Sequence, residues 1–208
     1  MTAAASSSTR TRRKVLAVLA GGLVLGVGAA ITLAAWNDSE FATGTFTAGS
    51  FNLEGSADGT NFTNHNVTKG DSAAALTFTA PFNNLAPTDV VYAPFWVRLD
   101  ANTTNNATLI AEQGTATGTN APNISYRVYS IGAAAACDSS ATSGTLVASG
   151  TSLTNFTAGA SVALTKGVSV GNPGAAAKLC FVVTAGSEAT LVQAGAATAT
   201  WKFTATSN

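Results

Sequence analysis

After residue 36 the chain is a succession of short β-branched and aromatic runs, separated by clusters of Gly, Asn, Pro and Ser. No stretch in this part of the sequence has sustained helical periodicity. The runs lie at 45–53, 75–80, 90–100, 107–112, 124–131, 144–149, 161–165, 178–184 and 198–206. Such a series predicts an all-β fold, an antiparallel two-sheet sandwich of jelly-roll type, as a single domain over residues 36–208.

Two of the runs alternate clearly between apolar and polar residues. In the run 124–131, every second residue lies on one face of a strand: Ile124, Tyr126, Val128 and Ser130. Near the end of the chain, Trp201 and Phe203 lie on the face opposite Lys202. Half-buried strands of this kind predict one core between two solvated outer faces. Pro94, within the run 90–100, predicts a sheet edge or a bulge because proline has no N–H to donate.

The N-terminal part has the pattern of an export signal or a membrane helix. Residues 1–14 form a basic n-region ending in Arg12, Arg13 and Lys14, and residues 15–35 form an uncharged h-region. The h-region is long enough to span a bilayer, whereas its glycines and the small residues at its end favour a signal peptide. We expect cleavage after Ala34 or Ala35, so that the new N-terminus is Ala35 or Trp36. A retained N-terminal anchor is the alternative.

Charge excludes several classes of function for the part that remains after cleavage. The whole chain has 10 basic and 10 acidic residues, and the n-region holds four of the basic ones. Six basic residues then face 10 acidic ones, a net charge of −4, so nucleic-acid binding is disfavoured. Only 10% of the chain is charged, against about 25% in ordinary domains. Few groups are therefore present for acid–base catalysis, and we expect no small-molecule substrate and no cofactor.

The two cysteines, Cys137 and Cys180, indicate a disulfide. An even number of cysteines in an exported chain favours a bridge, and closing a loop of just over 40 residues stabilises a fold by roughly 4 kcal/mol. The alternative is that both are small buried hydrophobic residues. A zinc site is disfavoured, because two separate cysteines and the single His65 do not supply four ligands with metal spacing.

Several motifs of the sequence are shared with one family. The junction has the pattern T-x-A-A-aromatic-N-D over residues 32–38, and the pattern G-T-F-x-x-G-x-F-N-L follows at 44–53. The segment 83–99 is similar to an L-x-P-G-D segment, with Thr88 where glycine is usual, and 193–207 is similar to a final strand. Together with the leader, these motifs resemble the SipW-dependent exported proteins that include TasA and the camelysins, in the actinobacterial branch. The resemblance implies an exported jelly-roll protein of the cell surface or extracellular matrix, often a fibre subunit.

Camelysins are also described as peptidases, and the sequence does not favour that activity. A zinc peptidase of the H-E-x-x-H type needs two histidines on one helix face, but His65 is the single histidine of the chain. No G-x-S-x-G motif indicates a nucleophilic serine. We therefore expect no catalytic residue, no enzymatic activity and no metal site, and interpret His65 as a solvated loop residue. The segment 58–66 is rich in oxygen ligands, but with Asp58 as its one carboxylate it predicts a hairpin tip rather than a calcium loop.

The segment that cleavage would release is a candidate donor strand. Its β-prone residues are Trp36, Phe41, Thr43, Thr45 and Phe46. An extended segment of one copy inserted beside an open sheet edge of the next would give filaments, because this head-to-tail contact does not close. The sequence leaves two alternatives open: residues 36–53 form the first strand of their own copy, or the protein is a monomeric wall-associated binding module. In either case we expect a secreted or cell-surface location, with membrane contact through the leader alone.

Overall fold

The computed structural model describes residues 8–31 and 38–208 of the chain. The chain divides into two compact units, Met1–Phe46 and Thr47–Asn208. In the first unit, the α-helix α1 spans Ser8–Ile31 and contains the basic end of the n-region and most of the h-region. No helix among the described residues has both the length and the apolar character needed to cross a membrane. The expected cleavage residues Ala34, Ala35 and Trp36 lie outside the described residues.

The second unit consists of short strands, as the sequence pattern predicts. The strands are β1 Leu53–Ser56, β2 Val90–Leu99, β3 Ala107–Thr117, β4 Ile124–Ile131, β5 Thr145–Gly150, β6 Thr157–Ala158, β7 Val162–Leu164, β8 Ala177–Ala185 and β9 Thr198–Ser207. They form a larger sheet in the order β1-β2-β8-β4-β5-β6 and a smaller sheet in the order β7-β3-β9. Every strand pair is antiparallel. Three short 3-10 helices lie in the connections, at Val67–Lys69, Ala121–Asn123 and Ser139–Ser143.

Both sheets contribute side chains to one hydrophobic core. Alternate residues of β2 from Val91 to Leu99 are buried in it, and Leu109 of β3 and Phe181 of β8 are almost fully buried there as well. In β4 the buried face is the one that the alternation predicts, with Ile124, Tyr126 and Val128 in the core. The all-β class and the arrangement of two antiparallel sheets around one core are therefore confirmed.

The outer face of the larger sheet is less solvated than the sequence predicts. A second buried cluster lies on this face, formed by Tyr129, Ala141, Cys180 and Val182. Residues of the connection between β4 and β5 cover it, because the Cys137–Cys180 disulfide holds that connection against β8. The prediction of two solvated outer faces is wrong for this part of the sheet.

Two of the predicted strands are not strands in the structure. Residues 45–53 were expected to form one, but β1 begins only at Leu53; Gly44 and Gly49 weaken strand propensity in the preceding segment. Residues 75–80 also form no ladder. Their alternate side chains nevertheless pack against the core, at Leu76 and Phe78. The apolar alternation therefore indicates the buried face of this segment, although the segment pairs with no strand.

The proline of β2 lies where the sequence predicts it. Strand β1 pairs with β2 from Leu99 back to Trp96 and then ends. Pro94, two residues further, therefore faces no residue of β1, while on its other side it pairs with Cys180. Because Pro94 lies on a locally open edge, its missing N–H leaves no gap in a ladder.

Candidate functional site

The segment 38–46 is fully exposed and has no regular secondary structure. The rings of Phe41 and Phe46 are each 96% exposed, and Thr43 and Thr45 are exposed as well. Single exposed apolar residues are common on protein surfaces. Two phenyl rings exposed to this degree within six residues are an unusual amount of apolar surface for a segment without a partner strand.

Near the start of the second unit, the first backbone pairing is at Ser50. A parallel bridge joins Ser50 to Thr103, and the amide of Thr104 donates to the carbonyl of Ser50 over 3.0 Å. Two residues later, the amide of Asn52 donates to Thr103 Oγ1 over 3.0 Å, and the Thr103 hydroxyl donates back to the Asn52 carbonyl over 3.1 Å.

Strand β9 provides the longest open edge of the two sheets. It pairs with β3 on one side and, among the described residues, with no strand on the other. The remaining terminal strands are much shorter: β1 has four residues, β7 three and β6 two, against ten in β9. The edge of β1 is also partly covered, because Gly55 and Thr63 exchange two backbone hydrogen bonds of 3.0 Å. Strand β3 is paired by β7 only from Ala107 to Leu109, but the stretch that remains there is shorter than β9. Among the described residues, an added strand would therefore find the longest row of unpaired N–H and C=O groups along β9.

A cleft opens between the sheets beside the first half of β9. We call it the β9 cleft; it has a volume of about 170 Å³, and the residues lining it include Phe78, Phe82, Leu85, Val183, Ala199 and Trp201. These side chains are apolar, and Phe82 at the cleft is 52% exposed. Trp201 faces the core yet is only half-buried, because β9 is the last strand of the smaller sheet in the part of the chain that the structure describes. An apolar side chain entering the cleft would remove this surface from water.

The outward face of β9 is polar. Threonines occupy it on both sides of Lys202, whose ammonium forms an ion pair with Glu112 of the neighbouring β3. Hydrogen bonds from Lys202 and then from Thr204 hold the pKa of Glu112 below its ordinary value. Strand β9 therefore has an apolar inner side at the cleft and a hydroxyl-rich outer side with one positively charged residue, Lys202.

The predicted disulfide is present. Cys137 and Cys180 are bonded, with their Cα atoms 5.3 Å apart and 43 positions apart in the chain. Cys180 is completely buried in the second cluster, so the bridge fixes a long connection to a central strand of the larger sheet.

The loop at 56–62 is a hairpin tip built around Asp58. The carboxylate of Asp58 accepts hydrogen bonds from the amides of Asn61 and Thr60, from the Asn61 side chain and from the Ser56 hydroxyl, all of 2.7 to 2.8 Å. These bonds, with the Asn61 amide first, hold the pKa of Asp58 far below its ordinary value of 3.8. Gly59 has φ of +74°, a conformation that favours glycine. The loop thus has the turn that the Asp-Gly pair predicts.

His65 is half-buried, and both of its ring nitrogens have partners. Nδ1 lies 3.1 Å from the carbonyl oxygen of Ser72, and Nε2 lies 3.1 Å from the Thr63 hydroxyl. Because a carbonyl only accepts, Nδ1 donates to Ser72, and in the neutral ring Nε2 is then the acceptor for the Thr63 hydroxyl. His65 therefore lies in a loop, as expected, but is half-buried rather than fully solvated. Over the described ranges, no group of three or more His, Cys, Asp or Glu residues lies together.

The structure shows what the sequence reasoning missed. The composition of residues 36–46 indicates the candidate donor segment, of which 38–46 is exposed, but no sequence signal indicates that β9 is an edge strand or that a cleft lies beside it. The one available hint is the threonine-rich outward face of 198–206, which is typical of a solvated strand. Comparison of the chain with protein-family models and with curated proteins gives no match.

Proposed function

We propose that this protein is an exported structural subunit of the cell surface or extracellular matrix, which assembles into fibres by strand addition. In this proposal the leader is cleaved beside Ala34 or Ala35, and the segment that begins at Trp36 pairs with the β9 edge of the next copy. The leader is the protein's one contact with the membrane. The role is structural rather than enzymatic, and the partner is a second copy of the same chain.

The observation that carries the proposal is the open edge of β9. Nine of its ten residues pair with β3, and among the described residues no strand pairs with its other side; natural sheets usually cover or shorten such an edge. A segment of matching length, 38–46, is exposed in the same chain. Strand addition would give the edge its missing hydrogen bonds without any change within the sandwich.

The core of the second unit does not depend on the donor segment. The buried residues of both clusters lie between Val91 and Val183, and the partly buried ones begin at Leu53. No residue of the described segment 38–46 belongs to either cluster, so the clusters keep all their members when this segment is donated to a neighbour. Since donor and acceptor surfaces differ, each added copy presents a new free edge, and the assembly grows as a filament.

We also propose that the sandwich is of jelly-roll type. The chain crosses from the larger sheet to the smaller one between β2 and β3, and crosses back between β3 and β4. It crosses again between β6 and β7, between β7 and β8, and between β8 and β9. Repeated crossing between two antiparallel sheets is characteristic of jelly rolls.

An extracellular location is consistent with the disulfide, because such bonds persist mainly in oxidising compartments. It is also consistent with a surface of threonine, serine and asparagine, with 10% charged residues in the chain. Mass spectrometry of the protein from the culture medium tests the location and the cleavage together. A first residue of Ala35 or Trp36 supports the proposal, and an intact leader on all of the protein contradicts it.

Assembly is tested with two forms of the protein: one that begins at Trp36 and one that lacks residues 36–44. We expect light scattering and electron microscopy to show growing filaments for the first form and a stable monomer for the second. Filaments of the shorter form would rule out donation by this segment. A stable monomer in both forms would favour the alternative function, a wall-associated binding module.

A further inference from the structure

We propose that Phe41 is the anchor of the donor segment, and that its ring occupies the β9 cleft of the next copy. This inference rests on the proposed function and adds the side chain, the face of the segment and the acceptor site. Phe46, equally exposed, is not the anchor.

The distinction between the two phenylalanines follows from strand geometry. In an extended segment, alternate side chains point to opposite faces. Phe46 shares its face with the carboxylates of Asp38 and Glu40, whereas Phe41 shares the other face with Ser39, Thr43 and Thr45. Burying an unpaired ionised carboxylate is costly, while hydroxyl groups at a partly open edge keep contact with water. The Phe41 face is therefore the one that fits against the core.

The β9 cleft is large enough for a phenyl ring, and the side chains that line it are apolar. Its volume is about 170 Å³ and its walls include Phe82, Ala199 and Trp201. An apolar cavity of roughly 150 Å³ is large enough to bind benzene. Residues directly opposite in paired strands have Cβ atoms about 4.5–5.5 Å apart. A strand beside β9 would hence place an inward side chain directly against Ala199 or Trp201.

The opposite face of the donor fits the outward side of β9. That side carries Lys202 between threonines, and Lys202 is the one charged residue of β9. Asp38 and Glu40 would lie there, exposed to water and near an ammonium group that is shared with Glu112. The donor segment carries its two carboxylates on one face and no charge on the other. The edge of β9 likewise has its one charged residue, Lys202, on the outward side and apolar side chains on the inner side.

The experiment uses the processed protein that begins at Trp36 and four variants of it. Phe41→Ala removes the anchor, and Phe46→Ala is its matched control on the other face. Phe82→Glu places a carboxylate at the cleft, at a side chain exposed enough to leave the fold intact. Val168→Glu, at a side chain that is 100% exposed in a loop away from the cleft, is the matched control. Circular dichroism and thermal melting verify that all variants are folded.

We expect Phe41→Ala and Phe82→Glu each to raise the critical concentration for filaments at least about tenfold, as truncation of an interface hot spot does. The two control variants should assemble within about threefold of the parent protein, since rim contacts contribute little. A mixture of Phe41→Ala and Phe82→Glu should give a 1:1 dimer and no filament. The first variant has only a working acceptor, and the second has only a working donor segment.

The outcomes separate this inference from the proposed function. If the parent protein assembles, residues 36–44 are required, and Phe41→Ala assembles as well as Phe46→Ala, then strand donation stands and the anchor is wrong. If Phe82→Glu assembles normally, the acceptor lies elsewhere and the inference is wrong in that part. If the parent protein stays monomeric under all conditions, both the fibre and the anchor are rejected.

Discussion

The rings of Phe181 and Trp201 lie with their centroids 4.9 Å apart and their planes at 61°. Phe181 is almost fully buried in β8 of the larger sheet, and Trp201 belongs to β9 of the smaller one. Edge-to-face contacts of this kind add to the free energy gained by burial. Trp201 also contacts Tyr126 and Phe78, so a single side chain of the edge strand connects both sheets.

Replacing Trp201 by alanine should destabilise the fold by about 3 kcal/mol, the low end for loss of a large aromatic side chain, because Trp201 is half-buried. The free energy of unfolding in urea measures the effect. Lys202→Ala is the matched control one residue away; it removes an exposed ion pair and should cost at most about 1 kcal/mol. Similar losses for both variants would show that the inner face of β9 does not hold the sheets together.

The sequence predicts the strands well where apolar and polar residues alternate and a neighbouring strand pairs along most of the run. The bounds of β4 are those of the predicted run 124–131, and β9 differs from the predicted run by one residue. The segment 75–80 has the same apolar alternation and packs its alternate residues inward, yet it has no ladder. Periodicity reports which face of a segment is buried. It does not report whether another strand lies within hydrogen-bonding distance.

The candidate site was predictable only on its donor side. Phe41 and Phe46 are visible in the sequence as aromatic residues in a segment without a core pattern. The acceptor side depends on which strands are neighbours, and β9 pairs with β3, from which it is separated by about half of the domain. Pairing at such sequence distance is decided by the packing of the whole sandwich, so that neither the open edge nor the cleft could be derived from local sequence.

Removal of the disulfide should lower the stability of the fold substantially. Replacing both Cys137 and Cys180 by alanine frees a 43-residue span, and in the chain-entropy model this costs about 4 kcal/mol through the unfolded state. Urea unfolding of the double variant measures the loss, and reduction of the parent protein with dithiothreitol should reproduce it. An unchanged unfolding midpoint after complete reduction would contradict the prediction.

Acid should weaken the fold partly through Asp58. Because hydrogen bonds depress the pKa of this carboxyl in the folded state, its contribution to stability is complete above the unfolded pKa and decreases as the pH falls below about 4. Asp58→Asn should therefore be less stable at pH 7 and lose less stability between pH 4 and pH 2 than the parent. The stability of Asp58→Asn should still decrease in acid, because the pKa values of Glu112 and Asp138 are lowered in the folded state as well. Urea unfolding at several pH values tests this, and equal slopes for both proteins would contradict it.

Asn120 holds the turn that leads into β9. It is 4% exposed, and its side-chain amide donates to the carbonyls of Val192 and Gly195 over 2.9 Å each. Its Oδ1 accepts from the amide of Val192 over 2.8 Å. One side chain thus satisfies three backbone groups of a turn that contains Ala194 at φ of +57°.

Replacing Asn120 by leucine should cost about 3 kcal/mol, because the turn loses three hydrogen bonds to this buried side chain, each of about 1 kcal/mol, while the side-chain volume is nearly kept. Urea unfolding measures the loss, and hydrogen exchange at the Val192 amide locates it. Asn120→Asp is the informative control: its carboxylate still accepts from the Val192 amide but no longer donates to the two carbonyls. We expect the Val192 amide to exchange more slowly in Asn120→Asp than in Asn120→Leu. Asn120→Asp should nevertheless be less stable than the parent protein. If leucine were tolerated without loss, the turn would be held by its own backbone, and the start of β9 would not depend on residue 120.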